Sequence, residues 1–515
     1  MKRLLTLLML LTFCLAPLAQ GQDQKTVIEN IIKEANGNSQ LEELAYEMLD
    51  KNGPRLVGSP QMQAANEWAV NKFESWGISA RNEQWGEWRG WERGITHVDL
   101  IEPRVKTLEA MSLAWSPASN GPVTAEVVMI PDVADQAAFE AWLPTVKGKF
   151  VMINAAQPTG RPDYNWEKFG TEASIEKMRK DRNTILRAWS QRIRKTGYNS
   201  RTLPTALEDA GAVGILISNW SRGFGVNKIF GARTKKVPTV DIGLEDYGTL
   251  FRMVEHGDAP QIRVEVTSKE LGMMPTYNTM AEIKGSEKPN EYVMLSAHFD
   301  SWDGGTGATD NGTGSLVMME AMRILKKHYP NPKRTILAGL WGSEEQGLNG
   351  SSAFVQDNPK VVEGLQALFN QDNGTGRVVN ISGQGFLHSY EFINRWLGAV
   401  PREYKSEIRT NFPGTPGGGG SDYASFVSAG APGFSLSSLS WDYGSYTWHT
   451  NRDTYDKIVF DDVRNNAILT AILVYMASED PKTFPRDKAE LGTNPRNGQP
   501  RAWPTPRNPN RKGGQ

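Results

Sequence analysis

The chain reads as an α/β protein built on a mainly parallel sheet sandwiched by helices. Three observations predict this. From residue 279 to 482, short apolar runs alternate with helix-like stretches, the pattern left by parallel strands joined through helical crossovers. Residues with chemistry, namely His298, Glu344 and Asp372, each fall where such a run ends, and open parallel sheets build their sites at the carboxyl ends of strands. The stretch 117–266 has a different character and reads as an inserted module.

Taken in order, residues 25–78 read as helical, with Val27, Ile31, Leu41, Leu44 and Met48 at helix-like spacing. Gly53-Pro54-Arg55 and Gly58-Ser59-Pro60 interrupt the pattern, and a second helix is expected over 61–76. A strand follows around 98–101. Within 117–266, short apolar segments at 148–153, 212–217 and 237–242 alternate with helices and turns, as in a small α/β or β-rich module. Residues 172–195 form a basic amphipathic helix, whose charged face is solvated or else attracts acidic substrate or a membrane surface. Strand and helix then alternate through 292–297, 314–327, 335–341 and 353–355. A glycine-rich loop at 414–420 and a closing helix over 461–478 complete the pattern. That loop lacks a following Lys-Ser/Thr, so it is no Walker-type phosphate loop and reads as a mobile loop at the site.

The two ends differ from the rest. Met1-Lys2-Arg3, an apolar run and the small residues Ala16, Ala19 and Gly21 describe a secretory signal peptide over 1–21, too short for a comfortable membrane span. The only cysteine, Cys14, lies inside it. A lipoprotein reading would acylate Cys14, but Phe13 stands where a small residue is needed. The mature chain is thus expected to be exported, periplasmic or secreted, without disulfide, thiol chemistry or transmembrane segment. From about residue 494 little is available to bury, so 483–515 is expected to be a disordered tail. The remaining boundaries are 22–116 and 267–482 for the two parts of the main domain. A formal charge of −1 gives no electrostatic reason to expect nucleic acid. Trp85, Trp88 and Trp91 read as packing around a strand, with a cleft or a homodimer contact as other roles open to them.

His298, Asp310, Glu345, Asp372 and His449 supply five potential metal ligands, with Asp300 and Glu344 as two further carboxylates. This donor set suits zinc or a similar divalent ion, and two ions if one carboxylate bridges. His298 and Asp300 are two apart at a strand end, so both side chains leave one face and Asp300 can orient the imidazole. Asp310 precedes a helix, where a plain N-cap is the ordinary role. A Glu-Glu pair such as Glu344-Glu345 usually begins a solvated helix. Here it follows the apolar run 336–341, and neighbouring residues diverge, so one can bind metal while the other meets a water. Asp372 and His449 alone would read as a turn aspartate and a packed histidine. The ensemble gives them weight.

Two glycan acceptor patterns, Asn311-Gly312-Thr313 and Asn373-Gly374-Thr375, sit beside proposed ligands. A sugar there would obstruct the site, which points to a host that does not N-glycosylate.

The wording around the ligands resembles the co-catalytic zinc exopeptidases of the aminopeptidase and glutamate carboxypeptidase type. It is carried by Ser296-Ala297-His298-Phe299-Asp300, Gly307-Ala308-Thr309-Asp310-Asn311, Glu344-Glu345-Gln346-Gly347-Leu348-Asn349-Gly350-Ser351, and His449-Thr450 with Asp453-Thr454. Gly53-Pro54-Arg55-Leu56 with Gly58-Ser59 resembles the family's amino-terminal segment, and 117–266 its protease-associated insert. The resemblance spans about 40–480. It implies one zinc on His298, Asp310 and Asp372 and a second on Asp310, Glu345 and His449. Asp310 then bridges, Glu344 serves as general base and acid, and Asp300 supports His298. It implies short peptides as substrates. One departure lies at Ser421-Asp422-Tyr423, where relatives often carry histidine after the aspartate.

Two other classes share the scaffold: a one-zinc glutaminyl cyclase and a non-catalytic receptor-like binding protein. The insert and the full second ligand set count against the first, and the complete ligands against the second. The insert is expected near the mouth of the site, limiting entry to short peptides, and its removal is expected to leave the ligands untouched.

Overall fold

Val27, Ile28 and Ile31 line one side of a helix α1 (Gln24–Gly37) and are buried. A second helix, α2 (Pro60–Ser75), starts where Ser59 Oγ accepts the Met62 N–H at 3.1 Å and Pro60 occupies the first turn, two ordinary helix-start devices. The structure, a computed structural model, describes residues 23–494 and 496–514. The expected signal peptide and Cys14 lie outside the described residues. Among the described residues no helix is long and apolar enough to cross a membrane.

Beyond α2 come β1 (Ser79–Glu102), β2 (Val123–Met129), β3 (Phe150–Met152), α3 (Glu172–Lys195), β4 (Gly214–Ile217), β5 (Thr239–Ile242) and β6 (Gln261–Ile283). The chain continues through β7 (Lys288–His298), α4 (Thr313–His328), β8 (Arg334–Trp341), α5 (Asn349–Asp357), β9 (Leu365–Asn370), β10 (Gly433–Ser438) and α6 (Phe460–Glu479). β7 lies between β8 and β9, parallel to both, and β10 continues the parallel set beyond β9. β6 runs antiparallel to β8. The sheet is therefore mainly parallel and mixed at its margin. Leu316, Leu325, Leu469 and Leu473 of α4 and α6 join one core face with Val27 and Ile31. Phe354 of α5 and Phe426 cover the other face, against Met294, Leu337 and Trp341.

β1 and β6 are much longer than the strand expected at 98–101. They pair antiparallel from Ser79–Glu282 to Glu102–Gln261 and run from the main domain into the second module. There β2 pairs with β6, and β2, β3, β4 and β5 lie parallel with a core of their own. Ala110–Ser112 pairs with β5, so this module's sheet takes in residues ahead of 117. Helix α3 covers it, leaving a cleft of about 620 Å³ beyond the ends of β3 and β4.

Trp85, Trp88 and Trp91 are 3%, 5% and 1% exposed and pack with Leu56 and Val57, which takes the dimer contact away from them. The tail expected to be disordered is instead laid along the main domain. Trp503 Nε1 donates to Val427 O at 2.8 Å and its ring meets Phe386 edge-on at 5.3 Å. Arg511 pairs with Asp357 at 2.8 Å, and Lys512–Gly513 adds a short parallel strand to β1. Main-chain pairing and one aromatic anchor fix a segment whose composition offers little else to bury.

Candidate metal centre

His298 is the last residue of the central strand β7, in register with Trp341 at the end of β8. Its Nδ1 lies 3.0 Å from the main-chain oxygen of Asp300, which can only accept. With a metal bound, the proton would sit on Nδ1 and the Nε2 lone pair would face the ion. Nε2 faces Asp372 Oδ1 at 3.2 Å and Asp310 Oδ1 at 3.4 Å. On the far side, His449 Nε2 lies 3.2 Å from Asp310 Oδ2 and 2.8 Å from Glu345 Oε2. The donor atoms of His298, Asp310 and Asp372 lie within 4.8 Å of one another, as do those of Asp310, Glu345 and His449. Asp310 belongs to both triads.

Several groups fix these positions. Asp453 accepts the Thr309 N–H at 2.8 Å and the Asp310 N–H at 2.9 Å through its two carboxylate oxygens. Asp300 caps the turn after β8 by accepting the Glu344 and Glu345 N–H groups. Arg55, fully buried, donates to the carbonyls of Phe299, Thr306 and Gly307, so the amino-terminal segment fastens the loop between His298 and Asp310. Asn311 is buried, with its side chain engaged by Gln371 O and the Gly314 N–H, an arrangement that a glycan could not share.

The residues fit divalent cations. Asp310 Oδ2 and Glu345 Oε1 are buried without a hydrogen-bond partner, as is Nδ1 of His449. Burial pushes Glu344 and Glu345 well above the usual carboxylate range; Asp372 adds to this for Glu344, and Asp310 for Glu345. Burial opposes charge on His298, but Asp372 and Glu344 outweigh it and hold the imidazole well above its ordinary value. Burial, reinforced by Lys228, takes His449 down to about 4, which favours the neutral form that ligates metal. A dry group of competing carboxylates with unused lone pairs calls for compensating positive charge.

The structure thus brings together all five proposed ligands with Asp300 and Glu344. It also adds two residues that sequence reading passed over. Tyr443 is half-buried with its hydroxyl toward Asp310, and nothing in the aromatic run 441–448 distinguished it from packing. Asp422, noted only as part of a departure, is fully buried among the site carboxylates with both oxygens unpartnered, and burial pushes it up to about 7. Residues of the stretch read as an insert contact one of the proposed ligands: the Ile229 N–H donates to the His449 carbonyl at 2.8 Å and Phe230 meets the imidazole edge-on at 5.3 Å.

A mainly parallel sheet with a histidine–carboxylate cluster at its strand ends is the arrangement expected of a metallopeptidase. Residues 278–474 match the model of peptidase family M28. The chain is 25% identical to human carboxypeptidase Q over 472 residues, covering 90% of this chain and 91% of that protein. Against the Xenopus laevis carboxypeptidase Q it is 27% identical over 482 residues, with 90% of each covered. Among solved structures, the peptidase M28 precursor from Shewanella amazonensis superposes with a TM-score of 0.65 at 23% identity, covering 90% of this chain and 98% of that one. A zinc aminopeptidase from Bacillus subtilis gives 0.56 at 17%, covering 88% and 97%. These last two likenesses show the shared fold.

Proposed function

We propose that this protein is an exported di-zinc exopeptidase that hydrolyses dipeptides or short peptides, with Glu344 as general base. The observation that carries the reading is Asp310, whose two oxygens face different histidines and so belong to two donor triads at once. His298, Asp310 and Asp372 would hold one zinc and Asp310, Glu345 and His449 a second, and such ions would supply Lewis acidity toward a water and a scissile carbonyl. Glu344 takes a proton from that water and returns it to the departing amine. Burial and the nearby Asp372 and Asp422 raise its proton affinity, the direction a base working on water requires. Asp300 holds the backbone of this base in place. The Tyr443 hydroxyl, held against Asp310, is placed to donate toward oxygen charge developing beside it.

The rim supports the substrate class. Phe230 of the insert and Trp302 pack edge-on at 5.4 Å, and both lie against His449, walling the cluster on the insert side. Such a wall suits short peptides with a free end. The names carboxypeptidase Q and zinc aminopeptidase among the relatives support an exopeptidase. Export rests on the signal-like residues 1–21.

A panel of dipeptides, aminoacyl amides and a peptide blocked at both ends, assayed with and without chelator, tests the proposal. Dipeptide hydrolysis abolished by chelator and restored by zinc is expected. Cleavage of the blocked peptide would overturn the exopeptidase reading. Cyclisation of amino-terminal glutamine, or binding without turnover, would support the cyclase or the receptor instead.

A further inference from the structure

The loop bearing His449 is held from outside its own domain. His449 has φ of +59°, in the left-handed region that a residue with a side chain adopts only when its surroundings impose it. The surroundings come from the insert. Beside the Ile229–His449 hydrogen bond, the Asn451 N–H donates to Asn227 O at 3.0 Å, and the Asn227 N–H donates to Asn451 Oδ1 at 2.9 Å. Lys228 Nζ donates to the carbonyls of Gly444 and Trp448, each at 3.0 Å, and sits 4.0 Å from the centre of the Trp448 ring. That ring stacks on His449 with centroids 3.9 Å apart. Asn227 is buried and anchored in turn, its amide donating to Ile242 O at 3.0 Å at the end of β5.

The other histidine is held differently. His298 ends the central strand of the main sheet, and its Nδ1 partner, Asp300, belongs to the same segment. The first triad is therefore built within the peptidase domain, and the second borrows its histidine's placement from another module.

We propose that residues 227–230 of the insert are positioning residues for the second triad and set its metal affinity while leaving the first triad's unchanged. This rests on the two-metal reading above. The insert is then a structural part of one metal site as well as a wall beside it. Groups that orient a metal ligand typically contribute 10–100-fold in affinity. Lys228 is the informative position, since it hydrogen-bonds no proposed ligand and reaches His449 through the 444–448 carbonyls, the Trp448 ring and its charge.

The test uses the full mature chain, stripped of metal and titrated with Zn²⁺ against a competing indicator, with folding followed by circular dichroism. Lys228→Met is expected to weaken one of two sites by about 10–100-fold and leave the other as in the parent. Lys228→Arg, which keeps a cation and donors, is expected to recover most of the loss. Ile229→Pro, which removes the N–H on His449, is expected to weaken the same site further. A two-ion parent with both sites unchanged in Lys228→Met overturns the proposal, and so does equal weakening of both sites. A parent that binds a single ion overturns the two-metal reading itself, and the proposal with it.

Discussion

Asp300 holds Glu344 through its backbone: Oδ1 accepts the Glu344 N–H at 3.0 Å, and Oδ2 accepts the Glu345 N–H at 3.3 Å. The main-chain oxygen of the same residue takes His298 Nδ1. One residue thus ties a ligand strand to the turn that carries both a proposed base and a proposed ligand. Asp300→Asn keeps the shape but turns an amide toward two N–H groups that need acceptors. Turnover of a dipeptide is expected to fall about 10–100-fold, with weaker zinc binding at the Glu345 triad. Steady-state kinetics beside a zinc titration check this, and an unchanged kcat contradicts it.

Asp310 is shared by both triads, so its loss should act on both ions. Asp310→Ala is expected to lower zinc content at both sites, whereas His298→Ala and His449→Ala each act chiefly on one. Elemental analysis of the three purified variants distinguishes these patterns. Two tightly retained ions in Asp310→Ala would remove the bridging role.

Away from the site, Glu34 makes an acid-labile contribution. Burial opposes its charge, but hydrogen bonds from Arg323, Lys327 and Asn38 outweigh this and hold its carboxyl at about 2, against an ordinary 4.5. The folded value lies below the unfolded one, so the unfolded chain takes up the proton first. The stabilisation is full above about 4.5 and is lost as pH falls toward 2. At neutral pH it amounts to something on the order of 3 kcal/mol. Glu34→Gln is expected to be less stable at pH 7 and to show a flatter loss of stability between pH 4.5 and 2. Urea unfolding across that range measures it, and parallel curves would contradict it.

Much of the site was legible because each ligand is announced by short-range pattern. His298, Glu344 and Asp372 each close an apolar strand, and their flanking words are specific. The long strands β1 and β6 were not legible, for a physical reason. Register shifts at Gln84/Gly86, Gly90/Trp91 and Arg93/Thr96 break the two-residue alternation by which a strand is recognised. At Gly86 the arriving tail leaves no room, since a Cβ would lie 2.6 Å from Arg511 O. The tail escaped for the complementary reason that main-chain pairing carries no hydrophobic signature. The contact of the His449 loop with Asn227 and Ile229, some 220 residues earlier, is a tertiary contact that no local pattern announces.

The tail supplies a further expectation. Trp503 fills a place against Phe386, is covered by Lys488 at 4.5 Å and bonds Val427 O. Trp503→Ala is expected to destabilise the protein by roughly 2 kcal/mol, from lost apolar burial and one lost hydrogen bond. Zinc stoichiometry should be unchanged. Denaturant midpoints that match the parent would show that the tail contributes nothing.

The central claim is that Glu344 moves the proton while other residues hold the metal, and the Glu344→Gln variant tests it in one preparation. Zinc content and dipeptide turnover are measured on the same purified sample. The account predicts two ions per chain, as in the parent, and turnover reduced by about 10²–10⁴-fold or more. Near-normal turnover with two ions bound would contradict it, and loss of an ion would make Glu344 a ligand rather than the base.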